Sequence, residues 1–85
     1  MNIHRAEYYE ENSDPAALAK VCQEWRSDLG GITIKQAAKV LGLPWRTLEG
    51  IEQGRGFRYP VMLINAMIGA PDGKRYDRII KGEQN

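Results

Sequence analysis

"TIKQAAKVLGLPWRTLEGIEQGR", residues 33–55, carries two apolar stripes at helical spacing, one on each side of a glycine and a proline. Ile34, Ala37, Ala38 and Leu41 recur at intervals of three and four, as the inner face of a helix requires. Thr33 stands ahead of them as an N-cap, and Gly42 stops the run. Pro44 suits the first turn of a second helix, where its missing N–H has no intrahelical partner to lose. In that helix, over about residues 44–53, Leu48, Ile51 and Glu52 face inward while Arg46, Glu49, Gly50 and Gln53 face out. Gly54 and Gly56 end it. Gly50 is costly in mid-helix, by roughly 1 kcal/mol relative to alanine. Trp45 and Arg46 on an exposed first turn are equally out of place in a helix that only builds a core, so this surface is expected to meet something.

Upstream, Asp14-Pro15 supplies an N-cap followed by proline at the first helical position, and Leu18, Val21, Cys22, Trp25 and Leu29 recur at helical spacing as far as Gly30-Gly31. Downstream, "YPVMLINAMIG" (59–69) reads as a strongly apolar helix opening at Pro60. "PDGKRYDRIIKG" (71–82) reads as a short one with Tyr76, Ile79 and Ile80 apolar. No run of period two is long enough for a strand. The expected fold is all-α, a compact domain of four to five helices over residues 14–82. Residues 1–13 are polar and without sustained period, a flexible acidic arm, and residues 83–85 are a tail.

Composition narrows the function. The 85 residues suffice for one small domain, and 42% hydrophobic with 27% charged residues is ordinary for a globular protein. Such a domain buries roughly 60% of its unfolded surface and gains from oligomerisation. No apolar run approaches the ~18 residues of a membrane span, and the acidic start is unlike a signal peptide, so no membrane partner and a cytoplasmic location are expected. Single Cys22 permits neither an internal disulfide nor a multi-cysteine metal site and reads as core. The net charge is only +1, but it is unevenly spread. Residues 1–14 hold Arg5 against Glu7, Glu10, Glu11 and Asp14. Residues 35–60 hold Lys35, Lys39, Arg46, Arg55 and Arg58 against Glu49 and Glu52, a local excess of cations suited to several phosphate contacts.

A helix of about eight residues, a glycine-containing turn of three or four and a helix of about ten make a helix-turn-helix unit, here over about residues 33–54. Residues 33–55 resemble the Cro/cI-like (XRE, lambda-repressor-like) helix-turn-helix family, matching its pattern at Thr33, Ala38, Leu41, Gly42, Leu43, Thr47, Leu48, Ile51, Glu52 and Gly54. With the flanking helices the resemblance spans about residues 15–82. It implies that the helix from Pro44 enters the major groove of DNA, with Trp45, Arg46, Glu49 and Gly50 at the base edges. Arg46 would grip guanine O6 and N7 in a bidentate pair, worth about 1–3 kcal/mol of discrimination. Glu49 would accept from a cytosine amino group or orient Arg46. Trp45 would meet a thymine methyl or the sugar-phosphate backbone, or pack beside Pro44 or the first helix. Gly50 would give clearance in the groove, or allow close approach of a protein partner. Glu52 is expected to be structural, bracing neighbouring backbone or an arginine.

The same resemblance places Thr33, Lys35, Gln53, Arg55 and Arg58 against phosphates, contacts that position a protein without specifying sequence. Lys39 reads as a plain surface charge. The implied function is a sequence-specific transcriptional regulator, a repressor or autoregulator of a bacterial, phage or mobile-element operon. It would bind double-stranded DNA as a homodimer on an inverted repeat. Met62, Ile64, Met67, Ile68, Tyr76, Ile79 and Ile80 are candidates for the dimer surface.

A rival reading keeps the fold but binds protein, as an antiactivator or adaptor on a transcription factor, or as an antitoxin on a toxin. It is motivated by Ile34 where the family has glutamine, by Gly50, by the low net charge and by the exposed Trp45. Ala37, where the family has leucine, loosens the packing. His4, the lone histidine, has no cysteine or second histidine near it, and "GRG" (54–56) is a loop and no phosphate-binding fingerprint. No enzyme, cofactor or metal is expected.

Overall fold

The computed structural model describes residues 11–82, and within them it is all-helical. Most of the expected acidic arm, with His4, and the tail at 83–85 lie outside the described residues.

Helix α1 (Pro15–Asp28) starts where the sequence supplies a stop for its unsatisfied donors. The Asp14 carboxylate accepts from the Ala17 N–H at 3.2 Å, and Pro15 takes the first helical position. Beyond Leu29 the chain turns through Gly30 and Gly31, both at positive φ. Helix α2 (Ile34–Leu41) opens with a reciprocal cap: the Thr33 hydroxyl oxygen accepts from the Gln36 N–H, and the Gln36 side-chain oxygen accepts from the Thr33 N–H, each at 3.0 Å. It closes at Gly42, whose left-handed backbone (φ 76°, ψ 30°) favours glycine.

Gly42, Leu43 and Pro44 make the whole turn into helix α3 (Trp45–Glu52). Pro44 is the residue before the helix, with extended backbone (φ −60°, ψ 139°), one position earlier in the helix frame than its suitability for the first turn suggests. Its carbonyl accepts from Thr47 and Leu48 N–H at 3.0 and 3.3 Å, so α3 begins without a side-chain cap. Helices of eight residues are too short to persist alone in water, and α2 and α3 depend on packing. Leu48 and Ile51 of α3 are buried with Leu18 and Cys22 of α1 and with Ala37 and Ala38 of α2.

Helix α4 (Pro60–Gly69) completes the core with Leu63, Ile64 and Met67. After a single 3₁₀ turn at Ala70–Asp72 comes a short helix, α5 (Lys74–Tyr76), which continues with π-type hydrogen bonding over Asp77–Lys81. This C-terminal segment lies on α2, so Val40, outside the apolar stripe expected for α2, is buried as well. The Arg75 Nε donates to the Lys39 carbonyl at 2.9 Å, tying the same segment to the end of α2. Pro71 has no N–H to return to the Met67 carbonyl four residues back. That oxygen instead accepts from the Trp25 indole N–H at 2.8 Å, which ties α1 to the end of α4.

The expected dimer surface needs correction here. Ile64, Met67 and Ile80 are 1%, 2% and 4% exposed, members of this chain's own core and lost to any partner. Ile68, Tyr76 and Ile79 are half-buried against that core, and of the seven only Met62 stands out, at 68% exposed. Among the described residues no helix is long and apolar enough to cross a membrane.

Candidate nucleic-acid interface

The turn brings the first turns of α2 and α3 side by side. The Lys35 Nζ lies 5.4 Å from the centroid of the Trp45 ring, and the Arg46 Cζ lies 5.3 Å from it. Both distances fall within cation–π range. The indole is thus held by one cation from α2 and one from α3, while 37% of the residue remains exposed. An open groove of about 290 Å³, lined by Lys35, Ala38, Lys39, Leu43, Pro44 and Trp45, runs along this crease. Trp45 shares this groove with Pro44, one of the neighbours expected for it, and with Lys35, Ala38 and Lys39 of α2.

Arg46 and Gln53 are exposed on the outer side of α3, and Glu49 is half-buried. Among the described residues Glu49 makes no ion pair with Arg46. Thr33, Lys35, Arg55 and Arg58 are also exposed. The Thr33 oxygen serves as the α2 cap, which leaves its hydroxyl proton to donate. No hydrogen bond, ion pair or ring interaction among the described residues joins Gln53 or Arg58 to the Lys35–Trp45–Arg46 group.

Gly50 is not an open clearance. It is buried, and among the described residues, its chain neighbours aside, the side chain within 4 Å of where its Cβ would stand is Arg55, with Cδ at 3.3 Å and Nη1 at 3.5 Å. The chain leaves α3 through Gly54 (φ 94°) and folds back, so that the Arg55 N–H donates to the Gly50 carbonyl at 3.0 Å. Arg55 then lies across the glycine. Periodicity in the sequence puts Gly50 on the outer face but carries no sign of what the following loop lays over it.

The inner side of α3 is fixed by charge as well as by packing. Arg26 donates to both Glu52 carboxylate oxygens, at 2.8 and 2.9 Å, and to the Ile32 carbonyl at 2.8 Å. Gln23 donates to the Glu52 carbonyl at 2.8 Å. Glu52 therefore has the bracing place expected of it, with Arg26 as its arginine. The hydrogen bonds from Arg26 to Glu52 raise the guanidinium pKa above its ordinary value, outweighing the opposite effect of burial. The thiol of buried Cys22 is pushed up to about 12, first by desolvation and then by the Glu52 charge, with Arg26 acting in the other direction. A thiol so held stays protonated and unreactive. Arg26 is the residue that reading the sequence for binding missed. Its signal is position: it follows Cys22 by four residues, on the same side of α1.

The chain matches no protein-family model, no curated protein and no solved structure at a significant level, so the reading of this surface rests on its geometry.

Proposed function

We propose that the protein is a sequence-specific DNA-binding transcriptional regulator of the Cro/cI-like helix-turn-helix type, with α3 as the helix that enters the major groove. The observation that carries this reading is the Trp45 ring at the start of α3 with both Lys35 and Arg46 within cation–π range of it. Two cations and a planar ring, fixed against each other on adjacent first turns, suit a surface that meets phosphates and base edges together. Arg46 reads guanine in the major groove. Lys35, Gln53, Arg58 and the Thr33 hydroxyl hold phosphates, helped at α2 by N–H groups free at a helix start. Trp45 contacts a thymine methyl or a sugar.

One eight-residue helix offers little contact, so tight binding needs two copies on half-sites ~34 Å apart. With Ile64, Met67 and Ile80 committed to the core, the exposed Tyr59, Val61 and Met62 are, among the described residues, apolar side chains left to support a dimer. Tyr59 and Met62 also line a groove with Leu41, Leu43, Phe57, Leu63 and Ala66, and this patch favours the second reading, a protein-binding adaptor or antitoxin.

Selection from a pool of random duplexes at ~150 mM salt, which suppresses non-specific phosphate binding, separates the two. The regulator enriches a palindromic motif, and Arg46→Ala loses its guanine preference at one position of each half-site. Equal, weak binding by wild type and Arg46→Ala with no motif enriched would sink the DNA reading and leave the apolar patch as the working surface.

A further inference from the structure

We infer that Arg55, reaching back from the loop after α3, supplies the base-reading side chain that Gly50 lacks. The inference rests on the DNA reading above and assigns within it a second specificity-determining residue.

Gly50 sits one turn beyond Arg46 on the outer side of α3, where a side chain would point at bases if the helix lay in the groove. It has no side chain, and Arg55 occupies the space: Cδ would stand 3.3 Å and Nη1 3.5 Å from a Cβ at position 50. Two features fix Arg55 there. Its N–H is hydrogen-bonded to the Gly50 carbonyl at 3.0 Å, and Gly54, at φ 94°, turns the backbone back over the helix end. The aliphatic part of the side chain rests on the bare helix, while the residue as a whole remains exposed. No ion pair or side-chain hydrogen bond among the described residues takes up its guanidinium.

An arginine that only sought phosphate would gain nothing from lying along the outer face of α3. One laid there has its planar fork ordered in advance, and a fork of that kind matches guanine O6 and N7. The glycine is what makes the arrangement possible, since any larger residue displaces Arg55. Four residues separate Gly50 from Arg46, a rise of ~6 Å, so the two arginines address different base pairs.

The test compares wild type, Arg55→Lys, Arg55→Ala and Gly50→Leu in the same random-duplex selection, each variant first shown to be folded by its thermal transition. Arg55→Lys keeps the charge and loses the fork. It is expected to lower guanine preference by roughly tenfold or more at one position of each half-site, distinct from the position that depends on Arg46, with the salt dependence unchanged. Gly50→Leu, which fills the resting place of Arg55, is expected to lose the preference at that same position although Arg55 is intact. If Arg55→Lys and Gly50→Leu leave every preference as it was, while Arg55→Ala weakens all sequences alike and reduces the salt slope by about one, Arg55 is a phosphate contact and the inference falls while the DNA reading stands. If wild type itself enriches no motif, both fall together.

Discussion

Arg26 and Arg55 both lie against α3, Arg26 on its inner side through Glu52 and Arg55 on its outer side across Gly50. Arg26 spends three donor contacts on the fold, two to Glu52 and one to the Ile32 carbonyl. Arg55 spends only its backbone N–H and keeps its guanidinium uncommitted among the described residues. The inner arginine joins α1 to α3, and the helix presents its outer side because the inner one is secured. An arginine whose three nitrogens each donate within the chain is committed to the fold, and one laid in place with none of them bonded is open to a ligand.

The contrast is broken most severely by emptying the inner side. Leu48→Ala should cost about 2–5 kcal/mol, since a fully buried side chain leaves a cavity, and urea denaturation measures it. Arg26→Ala removes the partner of a largely buried carboxylate and should cost about 2 kcal/mol. Cys22 sharpens the same side by pH. The thiol is pushed from its ordinary 9.0 to about 12 in the folded chain. Its contribution is therefore complete below about pH 9 and is lost as pH rises toward 12, because only the unfolded thiol ionises in that window. There the stability of wild type should fall faster than that of Cys22→Ala, by up to about 1.4 kcal/mol per pH unit. Equal slopes in the two proteins would mean that the thiol is not held neutral.

On the outer side the effects on folding are small. Gly50→Ala gains helix propensity against a contact at 3.3 Å with a flexible arginine, which can shift, so a stabilisation of up to about 1 kcal/mol is expected. Arg55→Ala should change stability by less than about 0.5 kcal/mol, as a surface substitution does. A loss near that of Arg26→Ala would erase the distinction between the two arginines.

What was legible in the sequence follows the same division. Local chemistry could be read directly: Asp14 before Pro15, Thr33 as a cap and Gly42 as a left-handed stop each act through neighbours in the chain, and the structure has them doing so. The inward set Leu18, Cys22, Leu48 and Ile51 follows from helical period alone. Helix α4 could not be divided this way. It is apolar nearly all round, so periodicity does not say that Ile64 and Met67 belong to the core while Met62 stands outside. Val40 and Ile80 are buried because the C-terminal segment folds onto α2, a long-range contact without a local signal. At the candidate site, the inward, bracing place of Glu52 was readable, whereas Gly50, expected to face out, is buried. The cover that Arg55 provides was not readable, since it depends on how Gly54 turns the chain.

The central claim, that the outer side of α3 meets nucleic acid, is tested most directly by following the backbone amide and indole N–H resonances while a short DNA duplex is added at low salt. The account predicts shifts concentrated at Lys35, the Trp45 indole, Arg46, Gly50 and Arg55, with Tyr59, Val61 and Met62 unaffected at the concentrations where those shifts appear. Shifts confined to Tyr59, Val61 and Met62, or none at any duplex concentration, would contradict it.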